Sequence, residues 1–256
     1  MKKDLKISLL QIAPVWENPA ANQKLLERYF TPDSPSTDLV VLPEMFSTGF
    51  TRDYTEKSSY PSLEWMKQLS EKQNAYVYGS IAASEDNQAF NRGFWVNPNG
   101  TIRSYDKKHL FRYGNEHHTF TAGNSILQVK TEHWTFRPLI CYDLRFPVWA
   151  RNTAPYYDIL IYIASWPAVR SEAWKALLKA RAIENQCYVI GVNRTGTDGY
   201  NLEYSGDSCV IDYKGNVLLN AENREGRFDL NLSYSELHDF RNKFPFLEDA
   251  DSWSFN

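Results

Sequence analysis

Short apolar runs alternate with segments of helical periodicity along this chain, and this alternation constrains its fold more than any other feature. The apolar runs are rich in Val, Ile and Tyr and predict strands near residues 5–12, 38–42, 75–82, 134–141, 158–164, 187–192, 208–213, 217–219 and 227–231. Segments of helical period lie near residues 18–30, 61–74, 147–154, 172–185 and 233–242. Such a chain folds as layers of strands and helices, the α/β class.

Local turn residues sharpen this prediction. Asn97-Pro98-Asn99-Gly100 separates the apolar runs 90–96 and 101–105, and Asn-Gly adopts the positive φ angles of a tight hairpin turn. A second hairpin is predicted around Lys214-Gly215-Asn216. No Pro-, Gly- or Ser-rich linker interrupts the 256 residues, so we expect one domain over residues 1–256.

The C-terminal segment, residues 244–256, is unusually aromatic for a polar stretch. It carries Phe244, Phe246, Trp253 and Phe255. Disordered tails are poor in aromatic residues. We therefore expect this segment to pack on the body of the protein or on a second subunit.

Charge and hydropathy exclude several classes of function. The formal net charge is −3, which offers no basic excess for gathering phosphates, so nucleic acid is not an expected partner. The longest apolar run, residues 159–164, is far too short to cross a bilayer, and Asp4, Lys6 and Gln11 interrupt any leader-like stretch at the N-terminus. We expect a soluble, cytoplasmic protein that does not contact membranes.

The three cysteines differ in their surroundings. They cannot all pair, and no C-x-x-C spacing is present, which disfavours disulfides and thiolate zinc sites. Cys141 lies where an apolar strand ends and the chain turns toward a helix, a setting that exposes a nucleophilic thiol and points backbone N–H groups at an oxyanion. A buried structural thiol is the alternative, and it suits Cys187 and Cys209, which lie inside apolar strands.

Three charged residues lie at other strand ends. Glu44 follows an apolar strand and a proline, Lys107 follows the first hairpin, and Glu116 comes nine residues after Lys107. Strand ends collect the active sites of α/β folds. Taken alone, Glu44 is better explained as a solvated loop carboxylate, and charge runs such as the one around Lys107 are usually solvated faces. None of these side chains identifies a site by itself.

Taken together, these residues and their local motifs resemble the Glu-Lys-Cys triad of the nitrilase, or carbon–nitrogen hydrolase, superfamily. The matching motifs span nearly the whole chain in the family's order: Leu5-Lys-Ile-Ser-Leu-Leu-Gln, Leu-Pro-Glu-Met-Phe, Tyr-Asp-Lys-Lys-His-Leu-Phe, Cys-Tyr-Asp-Leu-Arg-Phe-Pro, Ala180-Arg-Ala-Ile-Glu-Asn-Gln-Cys-Tyr-Val and Gly206-Asp-Ser. The resemblance implies a four-layer α-β-β-α sandwich of two mixed β-sheets flanked by helices, and a homodimer.

The resemblance also implies catalytic roles. The family's lysine precedes the motif histidine by two places, which selects Lys107 over Lys108. Glu44 becomes the base, Cys141 the nucleophile and Glu116 an auxiliary carboxylate. The backbone N–H of Tyr142 joins Lys107 in stabilising the oxyanion.

Within the superfamily, the segment 164–174 (Ala-Ser-Trp-Pro-Ala-Val-Arg-Ser-Glu-Ala-Trp) and Asn193-Arg-Thr-Gly resemble the ω-amidase branch. This implies a small-molecule substrate, the monoamide of a short 2-oxo dicarboxylic acid such as 2-oxoglutaramate or 2-oxosuccinamate. Arg170 would hold the far carboxylate, although a solvated loop arginine is equally plausible. Trp166 would close the pocket, although core packing explains it as well.

Neighbouring residues receive structural assignments. Arg145 is expected to pair with Asp143 or another acid, and His109 to make a structural hydrogen bond. His117-His118 lacks a third ligand at a suitable spacing, so neither a metal nor another cofactor is expected.

The resemblance leaves alternatives to the ω-amidase assignment. The same triad serves nitrilases, carbamoyl hydrolases and the amidase that acts on deaminated glutathione. From another class, the chain could be a catalytically silent interaction protein on the same scaffold.

Overall fold

The computed structural model describes residues 3–57 and 60–251. The strands of this part of the chain are β1 (Leu5–Gln11), β2 (Leu39–Val41), β3 (Glu56–Lys57), β4 (Tyr76–Glu85), β5 (Gln88–Val96), β6 (Ile102–Asp106), β7 (Val129–Lys130), β8 (Thr135–Ile140), β9 (Ile159–Ala164), β10 (Tyr188–Asn193), β11 (Thr195–Thr197), β12 (Glu203–Ser205), β13 (Cys209–Ile211), β14 (Val217–Asn220) and β15 (Gly226–Leu232). The α-helices are α1 (Pro19–Glu27), α2 (Pro61–Gln73), α3 (Pro147–Ala150), α4 (Ser171–Glu184) and α5 (Tyr234–Lys243).

Two mixed sheets form the centre of the fold. The first has the order β15-β1-β2-β4-β5-β6, with β3 beside β4, and the second has the order β14-β13-β10-β9-β8-β7. In each sheet three neighbouring strands are parallel, β1-β2-β4 in the first and β8-β9-β10 in the second, and antiparallel strands flank them. The carboxyl ends of the parallel strands therefore supply two rows of loops in which functional groups can gather.

The main core lies between the two sheets. Ile7, Leu9 and Val41 of the first sheet share one cluster with Leu139 and Ile161 of the second. A second cluster joins the outer face of the first sheet to α1 and α2, through Leu26, Met66 and Val77 among others. Helix α4 covers the outer face of the second sheet, and the predicted four-layer α-β-β-α sandwich is confirmed.

A glycine in β10 allows α4 to pack closely on its sheet. A Cβ atom at Gly191 in β10 would lie 2.5 Å from Leu178 Cδ1 and 2.9 Å from the ring of Trp174. Glycine is required at this position because any side chain would push the helix away. This close packing places Leu178 and Trp174 of α4 directly against β10, the strand that ends beside the site described below.

Most predicted elements are confirmed to within one or two residues, and the differences have local causes. The hairpin predicted at 90–96 and 101–105 is β5–β6. The helix predicted over residues 147–154 stops at Ala150, because the Asn152 side chain donates to the carbonyls of Tyr157 and Asn185 and Pro155 cannot extend a helix. The short hairpin β11–β12 was not predicted, since its polar strands carry no apolar alternation.

The described part of the aromatic C-terminal segment contacts the body of the protein. Gln186 Nε2 donates to the carbonyl of Phe244 at 2.8 Å, and the Phe244 ring lies 5.1 Å from that of Phe240. Leu247 is buried, whereas Phe246 is 59% exposed. Trp253 and Phe255 lie outside the described residues.

Candidate active site

The candidate catalytic side chains converge from the ends of several strands. Glu44 follows β2, Lys107 follows β6, and Cys141 follows β8 directly. Glu116 comes from a short 3₁₀ turn in the loop after Lys107. All four residues are buried, with Cys141 8% exposed and the other three fully enclosed.

A single lysine connects the two carboxylates. Lys107 Nζ donates to Glu44 Oε1 at 2.8 Å and to both Glu116 oxygens at 2.9 Å. Because the three groups are shielded from water, their charges interact strongly. The arrangement matches the expectation that Lys107, rather than Lys108, belongs to the site: Lys108 is partly exposed, with Nζ 5.4 Å from the ring centroid of Trp149.

Asn91 is a member of this cluster that sequence reasoning missed. It lies within β5, is fully buried, and its Nδ2 donates to Glu44 Oε1 at 2.7 Å and to Glu116 Oε1 at 3.2 Å. Its backbone carbonyl also accepts from the N–H of Lys107. One neutral side chain thus holds both carboxylates with its two N–H bonds. The sequence signal was weak, because Asn91 is one of two adjacent polar residues, with Arg92, in a predicted strand.

Backbone groups complete the environment of the two glutamates. Glu44 Oε2 accepts from the N–H of Ser165, just beyond β9, at 2.7 Å. Glu116 Oε2 accepts from the N–H of Phe111 at 2.6 Å. Backbone and side-chain donors therefore face the oxygens of both buried glutamates.

The nucleophile candidate occupies a sharp turn. Cys141 has φ +47°, an uncommon conformation for a non-glycine residue, and it begins the 3₁₀ helix Cys141–Arg145. Its Sγ lies 4.0 Å from the carbonyl oxygen of Ser165. The next residue, Tyr142, is in the first turn of this helix, where N–H groups have no helical acceptor and can serve an oxyanion.

Burial and neighbouring charges together shift the pKa values of Cys141, Glu116 and Lys107. Burial raises the pKa of the Cys141 thiol well above 9.0, and the negative charge of Glu44 raises it further. Burial also raises the pKa of Glu116, against the opposing charge of Lys107. For Lys107, burial acts to lower the pKa, but Glu116 and Glu44 outweigh it and hold the pKa above 10.5. The resting site therefore contains a protonated thiol and a protonated lysine.

A small cavity of about 270 Å³ opens onto Cys141 and Lys107. Trp166 and Arg170, the two predicted substrate-binding residues, both line it. Trp166 is only 3% exposed and packs on Trp174 at 5.5 Å, so it belongs to the cavity wall and to the core at once. Arg170 is not a freely solvated loop residue, because its guanidinium carbon lies 5.2 Å from the ring centroid of Phe111.

The expected pairing of Arg145 with Asp143 is wrong. The Asp143 oxygens accept hydrogen bonds from His109, Tyr105 and Ile140 instead. The Arg145 guanidinium carbon lies 4.9 Å from the ring centroid of Trp166, and the side chain lines the cavity.

The unpredicted hairpin β11–β12 supplies another part of the wall, with Asp198, Tyr200, Leu202 and Tyr204 lining the cavity. Asp198 is occupied by protein donors, since its carboxylate accepts from the Tyr204 hydroxyl at 2.7 Å and from two backbone N–H groups. Arg52 also lines the cavity and donates to the carbonyl of Gly114 at 3.0 Å.

Within residues 3–57 and 60–251, no cluster of three or more His, Cys, Asp or Glu side chains is arranged to bind a metal ion. The rings of His117 and His118 lie 4.0 Å apart without a third ligand in that described region. None of the helices in this part of the chain has the length and apolar character needed to span a bilayer.

Comparison with known proteins gives one consistent result. The chain matches the carbon-nitrogen hydrolase family over residues 6–238. It is 43% identical over 252 residues to the Escherichia coli protein named omega-amidase YafV, covering 97% of this chain and 98% of that one. It is 32% identical over 250 residues to a Bacillus subtilis protein named 2-oxoglutaramate amidase, covering 95% and 96% of the two chains.

A solved structure agrees with the sequence matches. The CN-hydrolase superfamily protein XC1258 of Xanthomonas campestris, described with an arsenic adduct in its active site, superposes with a TM-score of 0.96 at 39% identity, covering 99% of this chain and 100% of that one. The family that the motifs resembled is thereby confirmed, and the chain is a member of the carbon–nitrogen hydrolase family of the nitrilase superfamily.

Proposed function

We propose that this protein is an amidase that hydrolyses the terminal amide of a small 2-oxo dicarboxylic acid monoamide, such as 2-oxoglutaramate or 2-oxosuccinamate. The observation that carries the proposal is the buried cluster of Glu44, Lys107 and Glu116 beside Cys141 on a cavity of about 270 Å³. A catalytically silent scaffold has no reason to bury two carboxylates and a lysine next to a thiol, because desolvating them is costly.

In the first half of the reaction Glu44 removes the Cys141 proton while Sγ attacks the amide carbon. Proton removal accompanies attack because the resting thiol is protonated, its pKa being raised by burial and by Glu44. The carbonyl oxygen becomes an oxyanion between Lys107 Nζ and the N–H of Tyr142. Glu44 then gives the proton to the nitrogen, the C–N bond breaks, and ammonia leaves a thioester on Cys141.

In the second half water attacks the thioester. Glu44 removes the proton of the water, and Glu116, held by Phe111 N–H and Lys107, orients the water or the acyl group. The second tetrahedral oxyanion uses the same two donors. Collapse expels the Cys141 sulfur, which regains a proton from Glu44, and releases the carboxylic acid.

The substrate class follows from the cavity's size and charge. About 270 Å³ is at the small end of ligand pockets and suits an acid of a few carbons. Three guanidiniums, Arg52, Arg145 and Arg170, line the wall, and among the described residues none of them forms an ion pair with a carboxylate. An anionic group of the substrate supplies the missing partner. The names of the relatives, omega-amidase and 2-oxoglutaramate amidase, support the same substrate class.

Ammonia release tests this proposal. The assay compares 2-oxoglutaramate and 2-oxosuccinamate with uncharged short amides, short nitriles, an N-carbamoyl amino acid and deaminated glutathione, with Cys141→Ala as the blank. The proposal predicts the highest kcat/KM for the two 2-oxo acid monoamides. A preference for any other compound would reassign the substrate, and no release from any amide would leave the silent-scaffold alternative.

We further propose that the protein acts as a cytoplasmic homodimer. The three cysteines are free thiols, as expected in a reducing compartment. For the dimer, Val148 and Phe246 are 51% and 59% exposed and share one shallow groove with Pro147 and Ala250. Sedimentation tests it: Val148→Glu should produce monomers, whereas Val217→Glu, at a site 55% exposed on β14, should not. A monomeric wild type would refute the dimer.

A further inference from the structure

Asp143 is a fully buried carboxylate two residues after Cys141 that the proposed chemistry does not use. Its Oδ1 accepts from the backbone N–H of His109 at 3.0 Å and from His109 Nδ1 at 2.8 Å. Its Oδ2 accepts from the Tyr105 hydroxyl at 2.7 Å and from the N–H of Ile140 at 3.1 Å. Four donors thus converge on one side chain, and because the acceptor is a carboxylate, Nδ1 of His109 carries the hydrogen.

The positions of these donors in the chain are informative. Tyr105 and His109 lie two residues to either side of Lys107, while Ile140 and Asp143 lie on either side of Cys141. One carboxylate therefore connects the segment that carries the lysine to the turn that carries the nucleophile. The two segments are otherwise separated by more than thirty residues of chain.

The surroundings keep this connection rigid. The Tyr105 hydroxyl also accepts from Trp149 Nε1 at 2.9 Å and from the N–H of Lys108 at 3.3 Å. The His109 ring stacks on Phe146, with centroids 3.7 Å apart and planes inclined by 9°. Rings and hydrogen bonds leave His109 and Tyr105 little freedom to reorient.

We propose that Asp143, with His109 and Tyr105, forms a positioning network that fixes Lys107 relative to Cys141 and so sets the geometry of the oxyanion site. The network touches neither substrate nor reacting atoms. It acts by holding the backbone of both catalytic segments, and it rests on the proposed function of Cys141 and Lys107. Displacing catalytic groups by about 1 Å can cost about 100-fold in rate.

Conservative variants separate positioning from general stability. Tyr105→Phe removes the hydroxyl, and His109→Leu removes the ring donor. His109→Asn restores an N–H near the position of Nδ1. The matched control is Tyr188→Phe, which removes another buried hydroxyl that donates to the carbonyl of Ser233 at 3.0 Å, at the start of β10 and away from the site.

We expect kcat to fall about 10-fold or more in Tyr105→Phe and His109→Leu, with KM within about twofold of wild type, as displaced catalytic groups imply. His109→Asn should recover most of the loss, and Tyr188→Phe should keep wild-type kcat even if its melting temperature falls as far. The proposal would be overturned if Tyr105→Phe and His109→Leu both kept wild-type kcat, or if Tyr188→Phe lost as much kcat as they do. A change in KM without a change in kcat would also overturn it.

A second readout does not depend on the substrate. The rate at which iodoacetamide alkylates Cys141, located by peptide mass mapping, should fall in His109→Leu and return in His109→Asn. If the wild type releases no ammonia from any amide but alkylation follows this order, the proposed substrate chemistry fails while the positioning network stands. Equal alkylation rates in wild type and His109→Leu would refute the network.

Discussion

Replacing Lys107 by methionine removes the one cation of the buried cluster. Its Nζ lies 2.8 Å from Glu44 Oε1 and 2.9 Å from both oxygens of Glu116, in a fully enclosed position. Removing one partner of a buried ion pair costs about 3–5 kcal/mol of stability, because the remaining charge is left uncompensated. Losing one oxyanion donor costs about 10²–10³ in kcat. We expect Lys107→Met to show both effects.

The stability loss in Lys107→Met should depend on pH. In the wild type the lysine charge lowers the pKa of Glu116 against the effect of burial, so removing it raises that pKa further. The folded variant then keeps a proton that the unfolded chain loses above about pH 4.3. Its free energy of unfolding must therefore fall, relative to wild type, as pH rises from that value through the raised pKa of the folded state.

The assays are urea unfolding at pH 5 and pH 8 and steady-state ammonia release. Lys108→Met is the control, since it removes a partly exposed cation over Trp149 worth about 0.5–1 kcal/mol. It should keep kcat within about twofold, as no oxyanion donor is lost. The reasoning is refuted if Lys107→Met retains more than a tenth of wild-type kcat, a loss smaller than one oxyanion donor accounts for. It also fails if Lys108→Met is the more damaging change.

Cys141→Ala should abolish turnover. Above about pH 9 its free energy of unfolding should fall less steeply with pH than that of wild type, because the raised thiol pKa costs the wild type up to about 1.4 kcal/mol per pH unit in that range. Parallel plots of unfolding free energy against pH would contradict this prediction. Asn91→Leu should lower kcat and shift the acidic limb of the kcat–pH profile, because both glutamates lose an N–H donor; an unchanged profile would argue against it. Arg170→Lys should raise KM for 2-oxoglutaramate far more than for an uncharged short amide. Equal increases in KM would show that Arg170 does not bind the substrate carboxylate.

Much of the fold was predictable because its determinants are local. Strand and helix periods, together with turns such as Asn99-Gly100, placed β5–β6 and helix α4 nearly correctly. The errors arose where a distant side chain decided the outcome. Asn152 ends α3 through contacts with Tyr157 and with Asn185, on the far side of β9, which no window around residues 147–154 reveals.

The residues of the site also divide into those that local sequence identifies and those that depend on distant partners. Glu44, Lys107, Glu116 and Cys141 were predictable because each stands in a motif, and the structure brings them together. Asn91 was missed because its partners are 47 and 25 residues away and its own surroundings suggest only a strand.

The assignment of Arg145 failed for a related reason. Asp143 is close to it in sequence, but its oxygens are filled by donors from the lysine segment, so the guanidinium turns to Trp166 and the cavity instead. Nearness along the chain is a poor guide to ion pairing when a buried carboxylate has better donors from another segment.

The central claim, that Cys141 carries the acyl group, is tested most directly by intact-protein mass spectrometry of enzyme mixed with 2-oxoglutaramate and quenched in acid within the first turnovers. The account predicts a population heavier by the substrate's acyl group, with the added mass mapped to the peptide containing Cys141. The same adduct should be absent from Cys141→Ala. Ammonia release at wild-type rate without any adduct, or an adduct on Cys187 or Cys209, would contradict the account.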